Sequence, residues 1–160
     1  MNIGIIVWSA TGNTLSVAET FAEALRKIGH TVTMEPISMD APDPARRPES
    51  WNLTREPDAK TYDSLVFGSP VEAFSLSGVM SRYLSDVGDF SGKPVFCFVT
   101  QFFPKPWMGG ANAVKQLEKS AVSRGGRPCG TAVINWSSKK RILQIETAKI
   151  NLVKTWSLQK

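Results

Sequence analysis

The chain has 160 residues, enough for one domain built around a single core, so residues 1–160 are expected to form one domain. No apolar run reaches membrane-spanning length, and Met1 leads directly into an apolar run and a polar turn instead of a signal peptide. The sequence therefore predicts a cytoplasmic protein without membrane insertion.

The formal net charge of +5 is unevenly distributed. Residues 1–80 hold 6 Lys/Arg against 10 Asp/Glu, and residues 81–160 hold 13 against 4, which gives −4 and +9 for the two halves. A basic C-terminal half is suited to an acidic partner protein. Nucleic acid is not favoured, because the basic residues are scattered along predicted helices without interleaved aromatic residues.

Hydrophobic periodicity predicts five strands that alternate with helices. The predicted strands are Asn2 to Val7, Thr31 to Glu35, Ser64 to Gly68, Pro94 to Thr100 and about Pro128 to Trp136. The predicted helices begin at about Thr14, Val79, Ala111 and Ser138, and the last of them is expected to bury Ile142, Ile145, Leu152, Val153 and Trp156. This alternation is typical of a parallel sheet with helices on both faces.

The segment from Pro36 to Pro57 contains five prolines, which disfavours a regular second helix. At most a short helix from about Ala45 to Leu53 is expected, with Trp51 holding the segment against the sheet. We interpret this segment as a surface crossover.

A polar turn separates the first strand from the first helix. Small hydroxyl and amide residues leave successive backbone N–H groups and the helix N-terminus free to converge on one phosphate group. The expected phosphate-binding residues are Ser9, Ala10, Thr11, Gly12, Asn13 and Thr14. No GxxxxGK[ST] or GxGxxG pattern occurs after this strand, so neither a nucleoside triphosphate nor a dinucleotide is indicated.

Two further loops follow the third and fourth predicted strands. The first is a proline-stiffened turn that contains Ser69, Pro70, Val71, Glu72, Ala73 and Phe74. The second contains Thr100, Gln101, Phe102, Phe103 and Trp107. Its aromatic rings are too numerous for all of them to reach the core from a loop, so they are expected to line a cavity.

In the strand order 2-1-3-4-5, the ends of the first, third and fourth strands are neighbours. A phosphate-binding turn would then lie between two loops that offer aromatic rings. This arrangement suits a planar, phosphorylated aromatic molecule. Neither a general base nor a nucleophile stands out, and no metal site is indicated. Cys97 and Cys129 are expected to be buried free thiols.

Three segments together resemble the flavodoxin family over nearly the whole chain: S-A-T-G-N-T at residues 9–14, Y-D-S-L-V-F-G-S-P-V at residues 62–71 and G-K-P-V-F-C-F-V-T at residues 92–100. The resemblance implies a flavodoxin-like three-layer α/β sandwich with a five-stranded parallel sheet. It also implies FMN as the cofactor: Ser9 to Thr14 would hold the phosphate, Pro70 to Phe74 would face one side of the isoalloxazine, and Thr100 to Phe103 the other edge.

The resemblance implies electron transfer between protein partners. An alternative is an FMN-dependent NAD(P)H:quinone oxidoreductase, in which the loop from Phe102 to Trp107 covers a small aromatic substrate. A flavin-binding regulatory module is a third reading. Two features depart from the familiar short-chain flavodoxins. The chain is basic where they are acidic. The loop after the fourth predicted strand, which contains Phe102 to Trp107 and is called here the third loop, is longer and more aromatic than theirs.

Overall fold

The computed structural model describes residues 1–41 and 50–157. The strands are β1 (Asn2–Val7), β2 (Thr31–Pro36), β3 (Ser38–Met39), β4 (Leu53–Arg55), β5 (Ser64–Glu72), β6 (Ser75–Leu76), β7 (Pro94–Gln101) and β8 (Arg127–Asn135). The helices are α1 (Asn13–Lys27), α2 (Gly78–Asp86), α3 (Gly110–Ser123) and α4 (Arg141–Ser157), with a 3₁₀ turn at Ala59–Thr61.

Five parallel strands form the central sheet in the order β2-β1-β5-β7-β8. Counting only these five strands, the order is 2-1-3-4-5, so the predicted topology is confirmed. The short strand β6 pairs antiparallel with the end of β5, while β3 and β4 form a separate two-stranded sheet.

Helices cover both faces of the sheet, which gives the predicted three layers. On one face α1 and α4 pack through Phe21, Leu25, Leu152 and Trp156. On the other face α2 and α3 pack through buried side chains such as Tyr83 and Leu117. Alternate residues of β1 enter the two cores: Ile3 and Ile5 face α1, whereas Ile6 faces the opposite layer. Burial on both faces explains why this strand is continuously apolar.

Three local predictions need correction. The expected helix from Ala45 to Leu53 is not helical at residues 50–53, and the remainder lies outside the described residues. The third strand does not end at Gly68 but continues as β5 to Glu72, because parallel pairing with β7 extends to Pro70. Ile142 was expected in the core, yet its side chain is 73% exposed near the start of α4.

Trp51 agrees with its prediction. Its side chain is partly buried against the core cluster that contains α2, and the Arg82 guanidinium lies 6.0 Å from the centre of its ring.

Candidate functional site

The carboxyl ends of β1, β5 and β7 are adjacent in the sheet, so the three predicted loops meet at one edge. Val7 pairs with Gly68, and Pro70 pairs with Thr100. The backbone N–H of Trp8 also donates to the carbonyl of Gly68 at 3.1 Å. The tertiary structure therefore brings the predicted phosphate-binding turn and both aromatic loops together.

The turn after β1 is braced by its own first residue. Ser9 Oγ accepts hydrogen bonds from the backbone N–H groups of Gly12 (3.1 Å) and Leu15 (3.2 Å). Gly12 immediately precedes α1 with φ of +93°, a left-handed conformation that glycine adopts readily. The Ser9 hydroxyl thus shapes the turn.

Four backbone N–H groups of this turn, those of Ala10, Thr11, Asn13 and Thr14, make no hydrogen bond to any described residue. They lie where α1 begins, and the first turn of α1 contains no acidic residue that would compete for an anion. Free N–H groups and the positive end of the helix dipole favour a phosphate group at this position.

Thr14 is almost fully buried, and its hydroxyl lies 2.7 Å from the hydroxyl of Thr100, which is also buried. This side-chain hydrogen bond joins the start of α1 to the end of β7. This hydrogen bond joins the predicted phosphate-binding turn to the loop after β7, and the sequence pattern did not reveal it.

The loop after β5 is a tight hairpin whose two central residues, Ala73 and Phe74, have φ of +49° and +61°. Positive φ at both central positions is the geometry of a type I′ turn, which normally requires glycine or asparagine. A β-carbon makes this conformation costly, so the turn stores backbone strain. The strain lies at the position that presents the Phe74 ring.

Helix α3 holds this hairpin in place. Gln116 Oε1 accepts hydrogen bonds from Ser75 Oγ and the Leu76 N–H, both at 2.8 Å, and Asn112 Nδ2 donates to the Phe74 carbonyl at 3.3 Å. Gly109 has φ of +113°, and a β-carbon there would lie 2.8 Å from Phe74 Cα. These contacts from α3 support the strained turn, and none of the three α3-side residues was identified from the sequence.

Three aromatic rings of the two loops are in contact with one another, and Trp107 is also exposed. The rings of Phe74 and Phe103 are stacked, with centroids 5.7 Å apart and planes 5° from parallel, and Phe102 meets Phe103 edge-on at 6.0 Å. Phe74, Phe102 and Trp107 are 60%, 73% and 77% exposed, and Phe103 is 40% exposed. Rings that stay this accessible are available to stack against a planar ligand.

Gln101 fixes the base of the third loop. Its buried Nε2 donates to the Lys105 carbonyl at 2.5 Å and to Asn135 Oδ1, while its Oε1 is buried without a hydrogen-bond partner in the described part of the chain. Asn135, at the end of β8, was not anticipated as part of the site. Because Gln101 Oε1 has no partner among the described residues, it can accept a further hydrogen bond. Burial without a partner is energetically costly, so such a bond would be stabilising.

The remaining predicted residues lie along the end of β5. Ser69 is fully buried and its hydroxyl donates to the Pro70 carbonyl at 3.1 Å. Val71 and Glu72 are partly buried, and Glu72 Oε1 accepts from the Trp8 indole N–H at 3.5 Å. Trp8 thus joins the ends of β1 and β5, and it was not among the predicted site residues.

Neither cysteine is suited to act as a nucleophile. Cys97 is buried, and burial raises the pKa of its thiol well above the usual value. Burial also raises the pKa of Cys129 to about 11, although the nearby Arg127 acts in the opposite direction. Both thiols stay protonated near neutral pH. Cys97 is buried as predicted, whereas Cys129 is only half-buried, and both are free.

The arrangement fits FMN at this edge of the sheet. The four unpaired N–H groups after β1 match a terminal phosphate, and the accessible rings of Phe74 and Phe103 match a planar isoalloxazine. In the described part of the chain, no group of three or more His, Cys, Asp or Glu residues is arranged to hold a metal ion.

Solved structures share this architecture over almost the entire chain. A flavodoxin from Streptococcus pneumoniae TIGR4 aligns with a TM-score of 0.68 and 19% identity over 96% of this chain and 99% of its own. A WrbA-like flavodoxin from Agrobacterium tumefaciens gives 0.71 and 17% over 98% and 96%. Flavodoxin 2 from Bacillus cereus gives 0.70 and 20% over 96% and 99%. The chain has the flavodoxin-like fold.

Sequence comparison gives a more limited result for this flavodoxin-like chain. A curated protein from Archaeoglobus fulgidus, an NAD(P)H dehydrogenase (quinone), is 29% identical over 100 residues. The match covers 56% of this chain and 50% of that protein, so the chain spans about half the length of the curated relative. No protein-family model matches the chain. Among the helices of residues 1–41 and 50–157, none is both long and apolar enough to cross a membrane.

Proposed function

We propose that this flavodoxin-like chain binds FMN and acts in electron transfer, with residues 1–160 working as a single domain. The observation that carries the proposal is the meeting of three loops at one sheet edge. Four unpaired backbone N–H groups after β1 face the same edge as the stacked rings of Phe74 and Phe103. The similarity to solved flavodoxins supports this choice of ligand.

The proposed roles follow the geometry of each loop. Residues 9–14 bind the phosphate, with Ser9 shaping the turn and the N–H groups of Ala10 and Thr11 facing the anion. Residues 69–74 and 100–103, together with Trp107, contact the ring system. Bound FMN would supply the capacity to accept and release one or two electrons. The protein positions it, excludes water from one edge and sets the local charge.

A second candidate function is reduction of a quinone by NAD(P)H. It is favoured by the name of the Archaeoglobus relative and by the exposed rings of Phe102 and Trp107. In that case these two rings would contact the quinone substrate.

For the electron carrier, we propose acidic redox proteins as partners and a cytoplasmic location. The basic C-terminal half supports the choice of acidic partners, since exposed lysines such as Lys115 and Lys119 on α3 would attract an acidic surface. Their effect should weaken as ionic strength rises.

Ligand selectivity tests the proposed cofactor. Each charge-assisted hydrogen bond from an N–H group to phosphate contributes about 1.5–3 kcal/mol, so the loss of two would weaken binding by about 100-fold or more. Titration by flavin fluorescence quenching should therefore show FMN binding far more tightly than riboflavin. Inorganic phosphate should compete with FMN and leave riboflavin unaffected. Equal affinities for FMN and riboflavin, or a preference for FAD, would refute the proposal.

Anaerobic kinetics separate the two candidate functions. A carrier should oxidise NADPH slowly, with or without a water-soluble quinone, and should pass electrons to an acidic redox protein. A reductase should consume NADPH rapidly only when quinone is present, and Trp107→Ala should raise its KM for quinone. A protein that binds FMN but carries out neither reaction would favour the regulatory reading.

A further inference from the structure

A second surface shares Phe102 and Trp107 with the candidate flavin site and includes the start of α4, which that site does not use. The backbone N–H of Trp136 donates to the Gln101 carbonyl at 2.7 Å, and the N–H of Ser137 donates to the Phe102 carbonyl at 3.1 Å. The turn between β8 and α4 is therefore joined to the aromatic third loop. Whatever covers the outer side of one of these segments will also approach the other.

Large apolar side chains stand on both segments. Phe102 and Trp107 are 73% and 77% exposed on the third loop, and Ile142 and Leu143 are 73% and 62% exposed at the start of α4. These side chains are largely accessible to solvent, and Leu143 with Lys140 also lines a surface pocket between β8 and α4. Exposed apolar residues on adjoining segments of a folded protein favour a contact surface.

Both segments carry cations near these apolar residues in the sequence, and neither segment contains an acidic residue. Lys105 is exposed on the third loop, and Lys139, Lys140 and Arg141 immediately precede Ile142. No Asp or Glu occurs at residues 100–117 or 127–145. Arg141 is also held in place, because its guanidinium lies 4.6 Å from the centre of the Trp136 ring and donates to the Trp136 carbonyl at 2.9 Å.

We propose that this surface, defined by Phe102, Lys105, Trp107 and residues 139–143 and called here the basic rim, docks on an anionic lipid bilayer. Aromatic rings and aliphatic side chains that protrude beside lysine and arginine are suited to insertion at the headgroup level, while the cations meet acidic headgroups. Docking is peripheral and needs no membrane-spanning helix. Self-association through the basic rim is disfavoured, because two copies would bring like charges together.

A lipid surface accounts for these features better than a protein partner does. A protein would need matching pits for four protruding apolar side chains, whereas a fluid bilayer accommodates them without shape complementarity. The α3 lysines Lys115 and Lys119 lie outside the basic rim and remain available to an acidic protein. The proposal goes beyond electron transfer and holds whether bound flavin reduces a protein or a quinone.

Vesicle co-sedimentation of the full chain tests this proposal. The protein should sediment with vesicles of phosphatidylcholine mixed with phosphatidylserine, much less with phosphatidylcholine alone, and less as salt is raised. Lys139→Gln combined with Lys140→Gln should weaken binding about fivefold for each lysine, the equivalent of about 1 kcal/mol per cation at an anionic surface. Ile142→Ser combined with Leu143→Ser should weaken it about tenfold or more by removing the inserted side chains.

Matched controls use exposed residues outside the basic rim. Val122→Ser removes another exposed apolar side chain, and Lys119→Gln removes another exposed cation, both from α3. Neither change should alter sedimentation. FMN affinity should be unchanged in all four variants, which shows that they are folded and separates this proposal from that of the cofactor.

Two results would overturn the proposal: no sedimentation with the anionic vesicles, or equal sedimentation of the wild type and the Ile142→Ser/Leu143→Ser variant. If the protein does not bind vesicles but is retained on immobilised polyglutamate through Lys139 and Lys140, the basic rim is assigned to an acidic protein partner.

Discussion

The hydroxyl groups of Thr14 and Thr100 form a buried hydrogen bond of 2.7 Å between residues that are 86 positions apart in the chain. Leaving one buried hydroxyl without its partner costs about 1–3 kcal/mol. Thr14→Val and Thr100→Val should therefore each lower the free energy of unfolding by that amount. The double variant, in which both groups are replaced by methyls of similar shape, should lose less than the sum. Urea unfolding of the four proteins measures this coupling, and strict additivity would contradict it.

Thr14 also lies in the proposed phosphate site. Its effect on FMN binding is measured separately from its effect on the free energy of unfolding. Thr14→Ala should weaken FMN binding by about 1–2 kcal/mol, corresponding to the loss of one hydroxyl hydrogen bond to a charged group. Thr14→Ser keeps the hydroxyl and should bind FMN nearly as well as the wild type. Fluorescence titration measures both, and an unchanged dissociation constant for Thr14→Ala would remove Thr14 from the phosphate site.

The aromatic loops should contribute to flavin affinity through stacking. Substitution of Phe74, Phe102, Phe103 or Trp107 by Ala should, for at least one of the four, weaken FMN binding by about 1 kcal/mol and shift the flavin absorption spectrum. Ala73→Gly is the matched control, because it alters the same strained turn without removing a ring. If none of the four substitutions changes either quantity, the rings serve only the packing of the loops.

Two glycines with positive φ differ in their surroundings, which predicts different costs for the same substitution. A β-carbon at Gly12 has no neighbour within 4 Å, so Gly12→Ala should cost only the backbone strain of about 1–2 kcal/mol. At Gly109 the added β-carbon would also lie 2.8 Å from Phe74 Cα, so Gly109→Ala should cost more and displace the hairpin. Chemical denaturation gives both values; equal costs would show that the hairpin moves aside freely.

Lys105 is the basic residue within the third loop, and its charge should affect the reduction potential of bound FMN. A unit charge about 8 Å away in water contributes about 0.5 kcal/mol, or about 20 mV for a one-electron couple. Lys105→Glu should lower the potential by about 20–40 mV, because negative charge opposes the gain of electrons. We also expect the wild-type protein to have a higher potential than an acidic flavodoxin measured beside it.

Spectroelectrochemical titration measures the reduction potential of FMN bound to each variant. Lys119→Glu on α3 is the control for Lys105→Glu, and FMN bound to it should have a potential close to that of the wild type. An unchanged potential for Lys105→Glu, or a wild-type potential at or below that of the acidic flavodoxin, would show that contacts to the flavin ring outweigh the surrounding charge.

The sequence alone determined the layered architecture and the positions of the three loops. Continuous apolar strands that alternate with amphipathic helices leave few topologies, and the order of the five long strands followed from that pattern together with the family resemblance. The turn from Ser9 to Thr14 was also readable, because small residues between a buried strand and a helix have a local physical meaning. In such cases the information lies within a few neighbouring residues.

The tertiary structure decided what depends on residues far apart in the chain. Pro70 continues a strand because β7 pairs beside it, although proline favours a turn locally. Ile142 is exposed because Ala148, Leu152 and Trp156 occupy the face of α4 that meets the sheet. Thr14 meets Thr100, and Gly109 approaches Phe74, only after the strands are ordered. Local propensity and periodicity describe single segments, whereas these contacts are set by how the segments pack against one another.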